Sequence, residues 1–224
     1  MTESSVLFDL PSVVIRRAVV SEMGNNIYLL TSKQTGAQIL IDAADEAAAI
    51  ETLQKDAESD SELPTSIELI ATTHSHWDHI RALADLVAKT DAPHAAGRAD
   101  AAAIESGSGV TTDQLLDHGD AVGVDGIVLS AVHLRGHTPG SIAYVLEGAD
   151  ESGSTIIFSG DSLFPGGVGN TEQDLERFTS LLNDVEERLF AIYPDSAVVL
   201  TGHGDATTLG AERPALPEWR ERGW

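Results

Sequence analysis

Four side chains of the types that bind metal ions lie close together in the segment 73–79: His74, His76, Asp78 and His79. Imidazole nitrogens and carboxylate oxygens are common ligands of transition metals. A lone histidine is more often a surface or core residue, and Asp78 alone would read as a helix cap. Four such residues within six positions are harder to explain in that way and predict a metal site.

Three later stretches carry further ligand-type side chains: His137 within 136–140, Asp161 within 159–164 and His203 within 201–204. Together with the first four they give seven donors. Seven donors are too many for one tetrahedral zinc ion and suit two metal ions that share a ligand. Nitrogen and oxygen donors without sulfur suit zinc, iron or manganese, so the residue types leave the metal open.

The elements that must position these residues are predicted from the apolar pattern. Residues 66–72 read as a buried strand and 80–87 as a helix, so the first metal-binding segment lies on a strand-to-helix loop. Asp78 is then expected to cap that helix. Further strands are predicted at 13–15, 26–30, 38–42, 92–95, 127–133, 141–146, 155–159 and 197–201. If two sheets stack, His137 and Asp161 fall on one edge with the first segment.

Helices are predicted between these strands. The segment 44–57 is expected to face the sheet with Ile50 and Leu53, and 98–104 to form a second helix before a loop at 106–109. Thr171 with Asp174 resembles a capping box that opens another helix. Its apolar stripe is Leu175, Phe178, Leu182, Val185 and Leu189. Residues 214–224 are expected to form a short irregular tail packed by Trp219 and Trp224.

The motifs in this order resemble those of the metallo-β-lactamase fold superfamily, whose HxHxDH signature is matched by 74–79. Within it, 160–164 and 207–213 are most similar to single-domain glyoxalase II-like (hydroxyacylglutathione hydrolase-like) proteins. The resemblance implies an α/β fold, the αββα four-layer sandwich with two mixed β-sheets face to face and helices outside. We expect a single domain over 1–224 with its core at about 12–213.

The same resemblance implies the role of each site residue. His74, His76 and His137 hold one metal, Asp78, His79 and His203 hold the other, and Asp161 bridges. Asp78 and Asp161 are also expected to steer the attacking water as catalytic residues. Asp42, at the end of a predicted strand, is expected close under the metals, although a turn residue is an equally common reading of one aspartate. The expected cofactors are two divalent ions, zinc first, with iron or manganese as alternatives.

The predicted function is metal-dependent hydrolysis of a thioester of the hydroxyacyl-thiol type, or of an activated ester, by a hydroxide that bridges the metals. A thiol leaves without a general acid, whereas an amide nitrogen must be protonated, and no such acid stands beside the ligands. One alternative is a mononuclear iron persulfide dioxygenase of the same superfamily. The others are a lactonase and a non-catalytic metal-binding protein on the same fold.

Two departures from the family pattern concern the substrate. Family members commonly continue the signature as DHxGG, where this chain has Arg81 and Ala82. Arg81 could attract an anionic substrate, although an exposed helix arginine is the more common reading. Glutathione-using enzymes typically carry a basic residue where this chain has Asn170, and we expect this chain to lack the helical second domain of the longer enzymes. These departures argue against glutathione as the natural thiol.

Composition narrows the partners further. The formal net charge of −23 disfavours nucleic acid and anionic membranes, and with them the nuclease branch of the superfamily. No segment approaches the roughly 20 apolar residues of a membrane helix, and the amino terminus shows no secretory signal. Cysteine is absent, which is compatible with a reducing compartment. We therefore expect a cytoplasmic enzyme with a small-molecule substrate, and its oligomeric state is left open.

Overall fold

The computed structural model describes residues 4–45, 47–148 and 153–223. The first large sheet has seven strands, which follow one another across the sheet in chain order. They are β1 (Ser4–Asp9), β2 (Val13–Val20), β3 (Asn25–Ser32), β4 (Ala37–Ile41), β5 (Ser66–Ala71), β6 (His94–Gly97) and β7 (Gln114–Leu116). The pairs from β1 to β4 are antiparallel and those from β4 to β7 are parallel, so this sheet is mixed.

The carboxyl-terminal half supplies a second large sheet and a small hairpin. The strands are β8 (Ala121–Val124), β9 (Ile127–His133), β10 (Ile142–Leu146), β11 (Ile156–Gly160), β12 (Leu163–Phe164), β13 (Gly167–Val168), β14 (Val198–Thr201) and β15 (Thr207–Thr208). The six-stranded sheet has the order β15-β14-β11-β10-β9-β8, and β12 pairs with β13 alone. Only the β11–β14 pair is parallel, so the second sheet is also mixed.

Within the described residues, six α-helices accompany the sheets: α1 (Ala47–Asp56), α2 (Leu83–Thr90), α3 (Ala101–Ser108), α4 (Leu175–Val185), α5 (Leu209–Glu212) and α6 (Leu216–Arg222). Short 3-10 turns occupy Ala57–Asp60, Trp77–His79 and Arg213–Ala215, and a π turn over Glu186–Phe190 extends α4. Among the described residues, none of these helices is long and apolar enough to span a bilayer.

Three apolar cores lie between the layers of the described structure. Strand β4 shows how the side chains of one strand are shared between two of these cores. Side chains alternate across a strand, so Ile39 and Ile41 face the second sheet while Leu40 faces α1 and α2. Ile50 and Leu53 of α1 are buried in that outer core, as their spacing predicts. A third core packs α4 and α6 against the far side of the second sheet. The predicted αββα sandwich is thereby confirmed.

Two predicted helix starts are wrong. Asp78 does not cap a helix, because it lies inside the 3-10 turn and α2 begins only at Leu83. The later helix begins at Leu175 and is capped by Asp174. The Asp174 side chain accepts hydrogen bonds from the backbone N–H groups of Glu176 and Arg177. Leu175 therefore follows the cap and is 65% exposed, outside the buried stripe to which its spacing had assigned it.

Two predicted irregular segments are helical. The segment at 106–109 is not a loop before Gly109, because α3 continues to Ser108 and ends where Gly109 adopts a positive φ of 77°. The tail also departs from the prediction, since α6 includes Pro217 in its first turn, where a proline needs no hydrogen-bond donor. Trp219 is 1% exposed and anchors this helix, while Trp224 lies outside the described residues.

Candidate metal centre

All seven predicted donors lie along one edge of the two sheets, just beyond strand ends. The first segment follows β5, Asp161 follows β11 and His203 follows β14, while His137 lies on the connection between β9 and β10. Three of them form what we call the first triad: His74, His76 and His137. His74 Nε2 lies 3.2 Å from His76 Nδ1 and 3.3 Å from His137 Nε2.

A second triad lies beside the first and consists of Asp78, His79 and His203. The two histidines approach each other at 3.2 Å through their Nε2 atoms. Asp78 Oδ2 lies 3.3 Å from His203 Nε2 and 3.6 Å from His79 Nε2. Nitrogen lone pairs that face each other at such distances need a proton or a metal ion between them.

Asp161 lies between the two triads. Its Oδ2 is 3.7 Å from His137 Nε2 and 3.5 Å from His203 Nε2, and its Oδ1 is 3.5 Å from His79 Nε2. Oδ1 is buried and has no hydrogen-bond partner among the described residues. Burial raises the pKa of this carboxyl, although the neighbouring histidines oppose the shift. A buried carboxylate oxygen without a donor fits a position beside a cation.

In four of the five donor histidines, the Nδ1 atom faces away from the cluster and has a partner. The contacts are His74 Nδ1 with Thr73 Oγ1 at 3.0 Å, His79 Nδ1 with Asp42 Oδ2 at 2.8 Å, His137 Nδ1 with the Asn170 carbonyl at 2.8 Å and His203 Nδ1 with the Met23 carbonyl at 3.1 Å. Partners of this kind fix the tautomer and orientation of metal-binding histidines. In each case Nε2 is left facing the cluster.

The protonation of the histidines differs with their surroundings. Burial and the neighbouring imidazoles lower the pKa of His74 far below its ordinary value, and burial lowers the pKa of His137 to about 4. Burial would also lower the pKa of His79, but the carboxylates of Asp42, Asp161 and Asp78 together raise it to about 9. His74 and His137 are therefore in the neutral form that metal ions bind.

Asp42 lies beneath the donors, where the sequence had placed it. Its Oδ1 accepts a hydrogen bond from the Thr73 backbone N–H at 2.7 Å, and its Oδ2 accepts one from the Thr73 hydroxyl at 2.8 Å. The residue follows β4 with a φ of 59°, a left-handed conformation that aspartate tolerates better than most residues. One side chain thus connects the end of β4 to both Thr73 and His79.

Close packing at the centre depends on Gly202. A Cβ atom added there would lie 2.1 Å from Asp161 Oδ1 and 2.9 Å from His79 Cε1. No side chain fits in that space unless one of the two donors moves. The glycine before His203 is thereby explained by its close approach to Asp161 and His79.

The side chains of Arg81 and Asn170 make their hydrogen bonds and ion pairs with residues other than the donors, although the Asn170 carbonyl contacts His137. Arg81 pairs with Asp45 at 2.8 Å and stacks over Trp77 at 4.9 Å, contacts that account for its position without a substrate. The Asn170 side chain accepts a hydrogen bond from the Glu172 backbone N–H at 2.8 Å. Asn170 also lines a cavity of about 780 Å³ together with the β12–β13 hairpin and Arg222 of α6. Neither side chain is in contact with a donor.

Two polar residues at the centre were missed by sequence reasoning. Asn25 donates from Nδ2 to Asp78 Oδ2 at 2.9 Å and is fully buried. Asp100, also buried, accepts hydrogen bonds from the loops that carry His76 and His137. Asn25 stands in a predicted turn and Asp100 in a predicted helix, so neither carried a signal for this site. His94 and His118, which were not predicted as ligands, lie outside the donor groups found in the described part of the chain.

Comparison with known proteins agrees with this arrangement. Residues 20–203 match the family model described as "Metallo-beta-lactamase superfamily". The chain belongs to the metallo-beta-lactamase superfamily. It is 31% identical over 161 residues to the probable metallo-hydrolase YqgX of Bacillus subtilis, covering 66% of this chain and 74% of that protein.

Other superfamily relatives differ in the activity that their names state. The hydroxyacylglutathione hydrolase GloC of Haemophilus influenzae is 32% identical over 99 residues, which is 44% of each chain. The persulfide dioxygenase ETHE1 of Bos taurus is 27% identical over 191 residues, covering 85% of this chain and 68% of that protein. A solved structure described as TTHA1623 in a di-iron-bound form superposes with a TM-score of 0.68 at 27% identity, covering 88% and 96% of the two chains.

Proposed function

We propose that the seven donors hold two divalent metal ions, the first triad binding one and the second triad the other, with Asp161 shared between them. The observation that carries this proposal is the position of Asp161, whose two oxygens each lie within 3.7 Å of donor nitrogens and one of which has no hydrogen-bond donor in the described structure. Five imidazoles and two carboxylates suit zinc, and also iron or manganese. The di-iron form of a relative supports two ions without choosing between the metals.

The proposed reaction is hydrolysis of a thioester or an activated ester. Bound divalent ions supply Lewis acidity and lower the pKa of a coordinated water towards 7. Asp78 and Asp161 would orient that water, because the carboxylate of Asp161 lies between the two triads and that of Asp78 belongs to the second triad. Asn25 and Asp42 hold Asp78 and His79 in place from outside.

The leaving group is inferred from the described side chains near the site, which offer no general acid to protonate it. The buried tyrosines beneath the site already donate their hydroxyl protons, Tyr28 to the Thr201 carbonyl at 2.7 Å and Tyr144 to the Thr72 carbonyl at 2.9 Å. An amide nitrogen requires a proton donor, whereas a thiol with a pKa of about 8.5 leaves as the thiolate. A thioester therefore fits the described site better than an amide. The name of GloC supports a hydroxyacyl thioester.

A second candidate is persulfide oxidation at a single iron. It is favoured by the similarity to ETHE1, which covers more of this chain than the similarity to GloC does. Against it stands the second triad, since a mononuclear site does not require Asp78, His79 and His203 to converge. A cytoplasmic location and a small-molecule substrate belong to the proposal in either case.

The test is a pair of assays on one purified sample. Thiol release from S-lactoyl and S-acetyl thioesters is followed in parallel with oxygen uptake on a small-thiol persulfide, after loading with zinc, manganese or iron. We expect metal-dependent thiol release, abolished by a chelator and restored by added metal, and no oxygen uptake. Oxygen uptake with one iron per chain and no thioesterase activity would establish the dioxygenase instead.

A further inference from the structure

Asp100 makes three hydrogen bonds to two different donor loops. Its Oδ2 accepts from the Ser75 backbone N–H at 2.9 Å and from the Thr138 hydroxyl at 2.6 Å, and its Oδ1 accepts from the Gly140 backbone N–H at 2.7 Å. Ser75 stands between His74 and His76, and Thr138 follows His137 directly. One carboxylate therefore joins the two loops that carry the first triad.

This carboxylate is not explained by its own helix. Asp100 stands at the position before α3, where an aspartate ordinarily caps, yet its side chain makes no cap hydrogen bond. The residue is 1% exposed, and a Cβ atom added to Gly140 would lie 2.3 Å from its backbone nitrogen. The loops thus meet Asp100 directly, with no space for an intervening water at that point.

The second triad is held by other residues. Asn25 donates to Asp78, Asp42 accepts from His79, and the Met23 carbonyl accepts from His203. The hydrogen bonds found for Asp100 reach none of these groups. Asp42 serves both triads, since it also accepts the hydroxyl of Thr73, the partner of His74, whereas the hydrogen bonds found for Asp100 serve the first triad alone.

We propose that Asp100 is a positioning residue for the metal ion of the first triad alone. This proposal rests on the proposed dinuclear centre and adds to it that one residue sets the affinity of one ion. The residues around Asp100 show why a carboxylate is required. An asparagine would place its amide N–H₂ towards either Ser75 N–H or Gly140 N–H, so one buried backbone donor would lose its acceptor in either orientation.

The experiment measures zinc binding rather than activity. His203→Ala removes a donor from the second triad and leaves the first, while His76→Ala does the reverse. Asp100→Asn is introduced into the wild type and into each of these backgrounds, and the metal-free proteins are titrated with zinc by calorimetry. Asp60→Asn serves as the control, because the Asp60 side chain is only 6% exposed and accepts its hydrogen bonds from Arg16, at 2.6 and 2.7 Å, rather than from a donor loop.

We expect Asp100→Asn to weaken zinc binding roughly 10- to 100-fold in the His203→Ala background, the range typical of residues that orient ligands. In the His76→Ala background we expect zinc affinity to change by less than about threefold, because the intact second triad has no hydrogen bond to Asp100. The double-mutant comparison thus separates the effect of Asp100 on each triad. Asp60→Asn should change neither. Thr138→Val, which removes one of the three hydrogen bonds, should act in the same direction with a smaller effect, so the proposal does not depend on one variant folding.

The outcomes separate the two proposals. Equal weakening of zinc binding in both backgrounds would show a general structural role for Asp100. No weakening in either background would show that Asp100 does not affect zinc binding. Both results overturn the inference while the dinuclear centre stands. A wild-type protein that binds no zinc, manganese or iron would overturn the metal centre and the inference together.

Discussion

Asp42 Oδ2 lies 2.8 Å from His79 Nδ1, so a buried carboxylate orients a histidine whose Nε2 faces His203. The same oxygen accepts the Thr73 hydroxyl at 2.8 Å. The end of one strand thus controls both the start of the metal-binding segment and its last histidine. Removing this contact should loosen a donor without removing it.

Asp42→Asn is therefore expected to lower metal affinity by about tenfold while both ions still bind at saturating metal. Asparagine keeps the shape of the side chain and tolerates the φ of 59°, so the backbone should be retained. The measurement is a zinc titration of the metal-free variant beside the wild type. A loss as large as that in Asp161→Asn would show that Asp42 does more than orient its neighbours.

Asp161→Asn should be more damaging. The substitution removes a negative charge from the position shared by the two triads, which weakens both sites at once. We expect loss of most activity and of at least one metal ion per chain, measured by metal analysis and thiol release on the same sample. Turnover near that of the wild type would refute the bridging role.

Gly202→Ala tests the close packing of the centre. Its Cβ would lie 2.1 Å from Asp161 Oδ1, so the shared carboxylate must shift, and misplacement by about 1 Å is expected to reduce the rate by about 100-fold. Gly204→Ala is the control for a substitution in the same loop, because nothing lies within 4 Å of its Cβ position. Its φ of 71° is positive, unlike that of Gly202, so the control should lose stability through backbone strain, by about 1 kcal/mol, without displacing a donor. Equal kinetic defects in the two variants would show that a disturbed loop, rather than contact with Asp161, lowers the rate.

The substrate prediction concerns the thiol. Asn170 lines the cavity beside the β12–β13 hairpin in place of a basic residue, and Arg81 is already paired with Asp45. We expect a glutathione thioester to exceed a truncated thioester of the same acyl group by no more than about tenfold in kcat/KM, a difference of about 1.4 kcal/mol. Initial rates on both substrates measure this ratio.

Two variants refine the substrate comparison. Asn170→Arg should widen the kcat/KM ratio between the two thioesters if the cavity receives the thiol portion. Arg81→Ala should lower kcat/KM for anionic substrates more than for neutral ones only if the Arg81 charge still attracts substrate while paired with Asp45. A thousandfold wild-type preference for the glutathione form would mean that other residues, such as Arg222 in the same cavity wall, recognise it.

The sequence was sufficient for the layers, which depend on local patterns, and the same kind of pattern predicts the candidate donors that the structure brings together. Alternation in β4 and the spacing of Ile50 and Leu53 are properties of single elements. The donors could be located because histidine and aspartate at strand ends form recognisable motifs. The position of Asp161 between the two triads was implied by the family resemblance, and its distances to His79, His137 and His203 came from the stacking of the two sheets.

The failures have different physical causes. Asp78 and Thr171 looked like caps because local chemistry permitted it, but the segment around Asp78 forms a 3-10 turn and Asp174 caps the later helix instead. The tail looked irregular because of its prolines, yet burial of Trp219 stabilises a helix that proline permits in its first turn. Asn25 and Asp100 act on residues distant in the sequence, so no local pattern revealed them.

The central claim is that each chain holds two metal ions, and the most direct test is metal analysis of the purified protein. We expect two transition-metal ions per chain after equilibration with zinc or manganese and removal of excess. Removing them should lower the thermal midpoint, because ions that bind only the folded state add to its stability. A stoichiometry of one that does not change in excess zinc or manganese would contradict the dinuclear account.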